Sequence, residues 1–368
     1  MNASDYEAAG LYFPDAPNAA DRLALLEWLT EQGVTLEQMT DAHSIYGLTA
    51  LAGDAVIRPG ERLTLAEVAE KAALSIDEVE HIRRAVGFPA AEPGDRIFRP
   101  EDAATFAAFK FAAQVLGDEP ILEFSRVMGS SLARVAESAI WLFLGNVEAP
   151  LSTAKAGELA LAKANLEATS LLAVVPQVMD AIFRFHVQEA VRRSREARVG
   201  VSGFDTGRLG VGFIDLVGFT SVSHQLSSRE LARLVAEFEG AAYDVVTAHD
   251  GRVVKLIGDE VMFVAVDPVA VAEISLTLVE RYATNANVTP RGGLAVGELL
   301  TRGGDYYGPV VNLASRVGDL AVPNELLVTG DLRSEVCKAT EAYAFDPAGR
   351  RSLKGFDEPV ELFSLSRA

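Results

Sequence analysis

The stretch Lys255-Leu256-Ile257-Gly258-Asp259 decides the fold of the second half of this chain. It joins two apolar runs, residues 252–257 and 260–266, which are separated only by Gly258 and Asp259. A two-residue connection with glycine in its first position is typical of a β-hairpin. The pattern therefore predicts two antiparallel strands with a carboxylate at the tip of their turn.

Strand and helix patterns continue on both sides of this hairpin. Further strands are predicted at residues 208–214, 291–300, 326–329 and 360–364, and helices at 228–249, 268–284 and 309–320. The order strand, helix, hairpin, helix, strand, helix, strand predicts an α+β fold with helices on one face of a sheet.

A second carboxylate, Asp215, lies in the stretch Phe213-Ile214-Asp215-Leu216-Val217-Gly218-Phe219-Thr220. Taken alone, Asp215 would be interpreted as a helix N-cap or turn carboxylate, and Asp259 as an ordinary turn residue. If the first strand pairs beside the hairpin, both carboxylates reach one edge of the sheet. Two carboxylates and substrate phosphates are a usual Mg²⁺ site. Backbone amides of residues 217–220, at the start of a helix, would then bind a phosphate group.

Lys255 and Asp305 supply one hydrogen-bond donor and one acceptor. A lysine in an apolar hairpin needs a partner or an exposed end, and Asp305 could equally be a solvated loop residue. As a pair, they match adenine, whose N1 accepts a hydrogen bond and whose exocyclic amine donates one. Guanine would need a different pair.

Asn312 and Arg316 are four residues apart on a predicted helix, so their side chains share one face. They fit an ordinary surface polar pair. Near a nucleotide, the arginine would suit the charge of a pentavalent phosphate, and the asparagine would orient a ribose.

These motifs, in this order, resemble the catalytic domain of class III adenylyl/guanylyl cyclases over about residues 208–366. The stretch Leu353-Lys354-Gly355-Phe356 closes the match. The resemblance implies a ferredoxin-like α+β domain at residues 201–368, with an antiparallel-rich sheet and helices. It makes Asp215 and Asp259 the ligands of two divalent metal ions, Mg²⁺ or Mn²⁺.

The resemblance also implies the remaining roles in the site. Lys255 and Asp305 would recognise adenine, and Phe219, Thr220 and Lys354 would bind other parts of the substrate. Asn312 would position the ribose and Arg316 would stabilise the transition state.

The implied activity is that of an adenylate cyclase. The ribose 3′-oxygen of ATP would attack the α-phosphorus, giving 3′,5′-cyclic AMP and pyrophosphate, in a homodimer whose active sites are shared between chains. Guanylyl cyclases of the family typically carry Glu and Cys, or a similar pair, at the two base-recognition positions. A guanylate cyclase, and a catalytically silent nucleotide-sensing or DNA-binding regulator, are the alternatives.

The first half of the chain has helical patterns throughout. Helices are predicted at residues 21–30, in two segments of 63–84 around a turn at 73–75, at 100–111, at 119–143 and at 154–198. Ser75 is predicted to be an N-cap with Glu78 as its capping-box partner. The break at residues 199–203 predicts an all-α regulatory domain at 1–200, with a linker helix at 182–198.

Residues 63–107 resemble a MerR-type winged helix-turn-helix. Its second helix carries Asp77, Glu78 and Glu80, which would repel phosphates, and the chain has a formal net charge of −19. A helical regulatory fold without a nucleic-acid partner is therefore expected.

Cysteine content and the apolar segments bear on the compartment. A single cysteine, Cys337, allows no intrachain disulfide and fits a reducing environment. The N-terminus lacks a basic start followed by an apolar core, and Pro176 and Asp180 interrupt the apolar stretch at 170–185. A cytoplasmic protein without stable membrane insertion is expected.

Overall fold

A computed structural model of the chain describes residues 1–45, 47–57, 60–199, 201, 203, 205–283 and 288–368, without the side chains of Ala55 and Thr220. These residues form two compact units, Met1–Arg184 and Phe185–Ala368. The predicted domain boundary near residue 200 includes Gly200, which lies outside the described residues. The last residue of the helix predicted at 268–284 also lies outside them.

The first unit is helical, as predicted. Its helices are α1 (Ala3–Ala8), α2 (Ala19–Glu31), α3 (Leu36–Ile45), α4 (Leu51–Ile57), α5 (Leu65–Ala72), α6 (Ile76–Ala85), α7 (Asp102–Leu116), α8 (Asp118–Phe143), α9 (Ala149–Thr153) and α10 (Glu158–Leu171). A π-helical turn (Leu144–Glu148) follows α8, and a 3₁₀ turn (Leu172–Val174) follows α10. Helix α11 (Val175–Ala197) begins in this unit and ends in the second.

Local sequence signals explain several of these helix ends. The capping box of Ser75 and Glu78 at the start of α6 is confirmed, since each side chain accepts a hydrogen bond from the other residue's backbone N–H. The pattern predicted at 154–198 proves to be two helices joined by the 3₁₀ turn. Pro176 explains the interruption, because it has no N–H for a helical hydrogen bond to the preceding turn.

The second unit contains one sheet and five further helices among its described residues. In chain order these are β1 (Thr206–Val217), α12 (Phe219–Ser223), α13 (Ser228–Ala248), β2 (Arg252–Ile257), β3 (Glu260–Ala265), α14 (Pro268–Tyr282), β4 (Thr289–Arg302), β5 (Asp305–Tyr307), α15 (Pro309–Leu320), β6 (Leu326–Thr329), α16 (Gly330–Ala339), β7 (Tyr343–Arg351) and β8 (Val360–Arg367). The sequence patterns predicted a helix start at residues 217–220, where α12 lies, but they did not predict β5 or β7.

The sheet has the strand order β2-β3-β1-β4-β6-β8-β7, with β5 paired to β4. Only β4 and β6 run parallel among these pairs. The segment from β1 to β4 follows the order β-α-β-β-α-β with the strands arranged 2-3-1-4, as in a ferredoxin-like domain. The predicted fold class is confirmed.

Both faces of the sheet are covered, so the expectation of helices on one face only is wrong. On one face, Ile214, Phe263 and Leu294 pack with α13, α14 and α16. On the other, Val211 and Met262 pack with Ala314 of α15. The helix predicted at 309–320 therefore lies opposite the others.

Helix α15 lies directly against β4 because glycines allow their backbones to approach. A Cβ at Gly293 would lie 2.1 Å from the amide nitrogen of Gly318 and 2.3 Å from the carbonyl oxygen of Ala314. No side chain fits at such distances. This contact fixes the position of α15, which carries Asn312 and Arg316.

Two helical runs, Asp118–Thr153 and Glu158–Ala197, are long and apolar enough to cross a membrane by length and composition alone. One or two such helices are weak evidence for a membrane span. Many of their apolar side chains are exposed in the chain as described, including those of Trp141 and Phe183.

Candidate active site

Asp215 and Asp259 lie side by side at one edge of the sheet. Strand β1 runs between β3 and β4, so Asp215 pairs in register with Glu260 on one side and with Arg291 on the other. The backbone N–H of Leu216 donates to the carbonyl oxygen of Asp259 at 3.2 Å. This bond holds the hairpin tip, where Gly258 has φ +65°, next to the end of β1.

The charges at this edge are unequally compensated. Nε of Arg291 donates to Oδ2 of Asp215 at 3.0 Å. Burial raises the pKa of Asp259, and the nearby charge of Asp215 raises it further. Burial and then the charges of Asp215 and Asp319 raise the pKa of Glu260 to about 7. The cluster is therefore a region of excess negative charge, which a bound cation would relieve.

The donor set at this edge fits Mg²⁺ or Mn²⁺, since both ions accept carboxylate oxygens. No group of three or more histidine, cysteine, aspartate or glutamate side chains could hold a metal ion within the described part of the chain. The two carboxylates would therefore need oxygens from a substrate phosphate or from water to complete a coordination shell.

Lys255 and Asp305 are in direct contact, with 2.7 Å between Nζ and Oδ2. Their strands make this contact unexpected. Across the sheet, Lys255 pairs with Met262, Met262 with Phe213, and Phe213 with Gly293 of β4. Asp305 instead pairs with Arg302, at the far end of β4. Nine residues separate these two positions of β4, which is about 30 Å along a straight strand.

The contact is possible because the hairpin of β4 and β5, which we call the β4–β5 hairpin, curls over one face of the sheet. Tyr306, next to Asp305, is 8% exposed and packs with Leu209, Val211 and Met262 of that face. Burying an aromatic ring of this size contributes about 2 kcal/mol. The backbone N–H of Tyr306 also donates to Oδ1 of Asp305 at 2.8 Å. Lys255 and Asp305, which we call the base-recognition pair after the role predicted for them, thus come together from two distant parts of the chain.

Asn312 and Arg316 are exposed on α15. Nη1 of Arg316 lies 3.4 Å from Oδ2 of Asp319, and both side chains are about half exposed. An exposed ion pair of this kind contributes at most about 1 kcal/mol, so the guanidinium is available to a substrate.

The remaining predicted substrate-binding residues are Phe219, Thr220 and Lys354. Phe219 begins α12 and its side chain packs against the core, which leaves its backbone N–H as the group for a phosphate. The side chain of Thr220 lies outside the described residues. Lys354 lies exposed in the connection between β7 and β8, and it makes no hydrogen bond or ion pair among the described residues.

Two residues of this edge were missed by sequence reasoning, Glu260 and Arg291. Both lie next to Asp215 only because of the register in which β1 pairs with β3 and β4. A single sequence does not reveal that register. A charged residue beginning an apolar strand was the available signal for each.

Two family models match the chain in the order of its two units. Residues 5–191 match the adenylate cyclase regulatory domain, and residues 204–367 match the adenylate and guanylate cyclase catalytic domain. The second match contains every site residue described above. Fold and site together define a nucleotide cyclase of class III, which is a phosphorus–oxygen lyase.

Similar proteins extend this match over almost the whole chain. The uncharacterized protein Rv2212 of Mycobacterium tuberculosis is 33% identical over 363 residues, covering 98% of this chain and 93% of its own. A pH-sensitive adenylate cyclase of Mycobacterium tuberculosis is 31% identical over 95% of this chain and 88% of its own. The adenylyl cyclase CyaB of P. aeruginosa has a solved structure with a TM-score of 0.40 and 23% identity, covering 44% of this chain and 96% of that one. The chain belongs to the family of class III cyclases that carry an adenylate cyclase regulatory domain.

Proposed function

We propose that this protein is an adenylate cyclase that converts ATP to 3′,5′-cyclic AMP and pyrophosphate. The observation that carries the choice of ATP is the contact between Lys255 and Asp305. It sets a donor beside an acceptor, and each keeps free hydrogen-bonding capacity, because lysine has three donors and a carboxylate about four acceptor sites. Adenine N1 would accept from Lys255, and the adenine amine would donate to Asp305.

The other residues act on the ribose and the phosphates. Asp215 and Asp259 would hold two divalent ions, Mg²⁺ or Mn²⁺. When bound, such ions lower the pKa of an attacking hydroxyl and neutralise the triphosphate. Asn312 orients the ribose so that its 3′-oxygen lies in line with the α-phosphorus, and Arg316 stabilises the charge that develops on the phosphate.

We propose that the working form is a homodimer with active sites shared between the chains. The carboxylates would come from one chain and the base-recognition pair, Asn312 and Arg316 from its partner. Exposed apolar side chains support a second copy as the partner, since Phe124, Val135 and Leu142 share one face of α8 and are 52%, 48% and 68% exposed. Large apolar patches on a soluble protein usually mark an interface.

The proposed compartment is the cytoplasm, without stable membrane insertion and without a nucleic-acid partner. The net charge of −19 and the single cysteine support these proposals.

Cyclic AMP formation by the purified full chain tests the function. ATP should be converted with Mn²⁺ or Mg²⁺, and chelation should stop the reaction. A protein that binds ATP but forms no cyclic AMP with either ion would be a silent nucleotide sensor instead.

Exchanging the base-recognition pair should change the preferred nucleotide. In a Lys255→Glu, Asp305→Cys variant, we expect at least about a tenfold loss of kcat/KM for ATP and measurable GTP turnover, because the donor and acceptor are reversed. Parallel assays with ATP and GTP measure the change. An unchanged preference for ATP would remove both residues from base recognition.

The first unit is proposed to control catalysis through α11. Within the second unit, Nη2 of Arg192 lies 3.3 Å from Oδ1 of Asp250, and Ala197 is buried beside Gly207 of β1. The end of this helix is therefore bound to the catalytic fold. A small displacement of such an element could change the alignment of reacting groups.

Removing the first unit should change the maximal rate or its pH dependence more than the affinity for ATP. Two fragments separate the contributions. One begins at Phe185 and keeps the contacts of Arg192 and Ala197, whereas the other begins at Val201 and lacks them. Rate against pH and ATP concentration is measured for both and for the full chain. Identical profiles for all three proteins would contradict control by the first unit.

A further inference from the structure

Arg252, at the start of β2, contacts the β4–β5 hairpin on both sides of Asp305. Its Nη2 donates to the carbonyl oxygen of Gly304 at 2.7 Å. Its Nη1 donates to the hydroxyl of Tyr306 at 3.3 Å, and its guanidinium carbon lies 5.4 Å from the centre of the Tyr306 ring. One side chain therefore holds the residue before Asp305 and the residue after it.

The hairpin needs such a contact because little else in its own backbone fixes it. Strand β5 has three residues and pairs only with β4 among the described strands. Its turn consists of Gly303 and Gly304, with φ of +59° and +76°. Glycine gains the most conformational freedom when a segment loosens, so this turn is an easily distorted part of the site.

Arg252 and Lys255 lie on the same short strand. The first contacts the backbone around Asp305, and the second contacts the Asp305 carboxylate. Strand β2 therefore contacts both the Asp305 carboxylate and the backbone that carries it. The acceptors of Arg252 are a carbonyl and a hydroxyl, so these bonds serve geometry rather than charge neutralisation.

We propose that Arg252 is a positioning residue for base choice, which places the Asp305 carboxylate where the exocyclic amine of adenine donates to it. The inference rests on the proposed adenylate cyclase function. Arg252 acts through Asp305 and does not itself touch the base.

The test compares ATP with purine riboside triphosphate, which lacks the exocyclic amine. The wild-type enzyme should prefer ATP in kcat/KM by about tenfold or more, as expected for a hydrogen bond to a charged acceptor. In Arg252→Met, this preference should fall at least about threefold. The loss should lie in KM for ATP, with kcat at saturating ATP changed less than about threefold, because the reacting groups are untouched.

Three further variants separate positioning from a general structural role. In an Asp305→Ala background, Arg252→Met should cause no further loss of preference, since its effect passes through that carboxylate. Arg252→Lys and Tyr306→Phe each remove part of the contact and should give smaller losses. Arg350→Met is the matched control. Arg350 lies on β7 and also donates to a backbone carbonyl, that of Pro359, at 3.1 Å. It should leave the preference unchanged.

Each outcome bears on the proposal. An unchanged preference in Arg252→Met, or a lower kcat with the same preference, would overturn it. If that variant does not fold, an unchanged preference in both Arg252→Lys and Tyr306→Phe has the same effect. Absence of cyclic AMP from the wild type would instead refute the proposed function before any variant is measured.

Discussion

Replacing Asp215 or Asp259 with alanine should lower the rate of cyclic AMP formation by about two orders of magnitude or more, since the metal ions proposed to bind there would supply several kcal/mol of transition-state stabilisation. With one carboxylate removed, the other would be left as an incomplete set of metal ligands. Among the described residues, no group of three or more histidine, cysteine, aspartate or glutamate side chains could hold a metal ion in its place. Steady-state assays with Mn²⁺ and Mg²⁺ measure the effect.

The fold should survive both substitutions. Asp215 is partly exposed and its ion pair with Arg291 contributes at most about 1 kcal/mol, while its removal also relieves repulsion of Asp259. Asp215→Asn keeps the shape and removes the charge, so it should be as inactive as the alanine variant. Asp346→Ala, at an exposed carboxylate on β7, is the control and should retain activity. Near-normal activity of Asp215→Ala would remove the two-metal assignment.

Mixing two inactive chains should restore activity if the sites are shared. Asp215→Ala keeps Asn312 and Arg316, whereas Arg316→Ala keeps both carboxylates. A heterodimer then contains one doubly damaged site and one intact site. Random association makes about half of the dimers mixed, each with one of two sites working, so about a quarter of wild-type activity is expected.

Co-expression with two different affinity tags provides the heterodimer, which sequential purification isolates. Each variant expressed alone should be nearly inactive. The matched control mixes Asp215→Ala with Asp259→Ala, which damage the same half of the site and should give no recovery. If purified heterodimers of the first pair are inactive, each active site is built within one chain.

Local signals were sufficient for much of the fold. The bounds of β2 agree with the prediction and those of β3 differ by one residue, because a Gly-Asp turn and apolar residues on both sides fix a hairpin. The capping box of Ser75 likewise fixed the start of α6. Each of these features depends on residues close together in sequence.

Features that depend on distant residues were not predictable in the same way. The side of the sheet taken by α15 depends on Gly293 meeting Gly318, and a single sequence does not reveal such a contact. The position of Arg291 beside Asp215 depends on the register of β1 with β4. Lys255 and Asp305 were predicted as a pair by the chemistry of adenine, yet their contact requires the curl of the β4–β5 hairpin, which no local pattern indicates.

That hairpin has a consequence for how such enzymes can diverge. Lys255 and Asp305 are 39% and 28% exposed, and β5 is a side branch of the sheet rather than one of its central strands. Substitutions there leave the buried core in place and remove one partly exposed ion pair, so they are expected to change stability by about 1 kcal/mol or less. If the pair recognises the base as proposed, a lineage could exchange one purine substrate for another in two mutational steps while keeping the same scaffold and the same first unit.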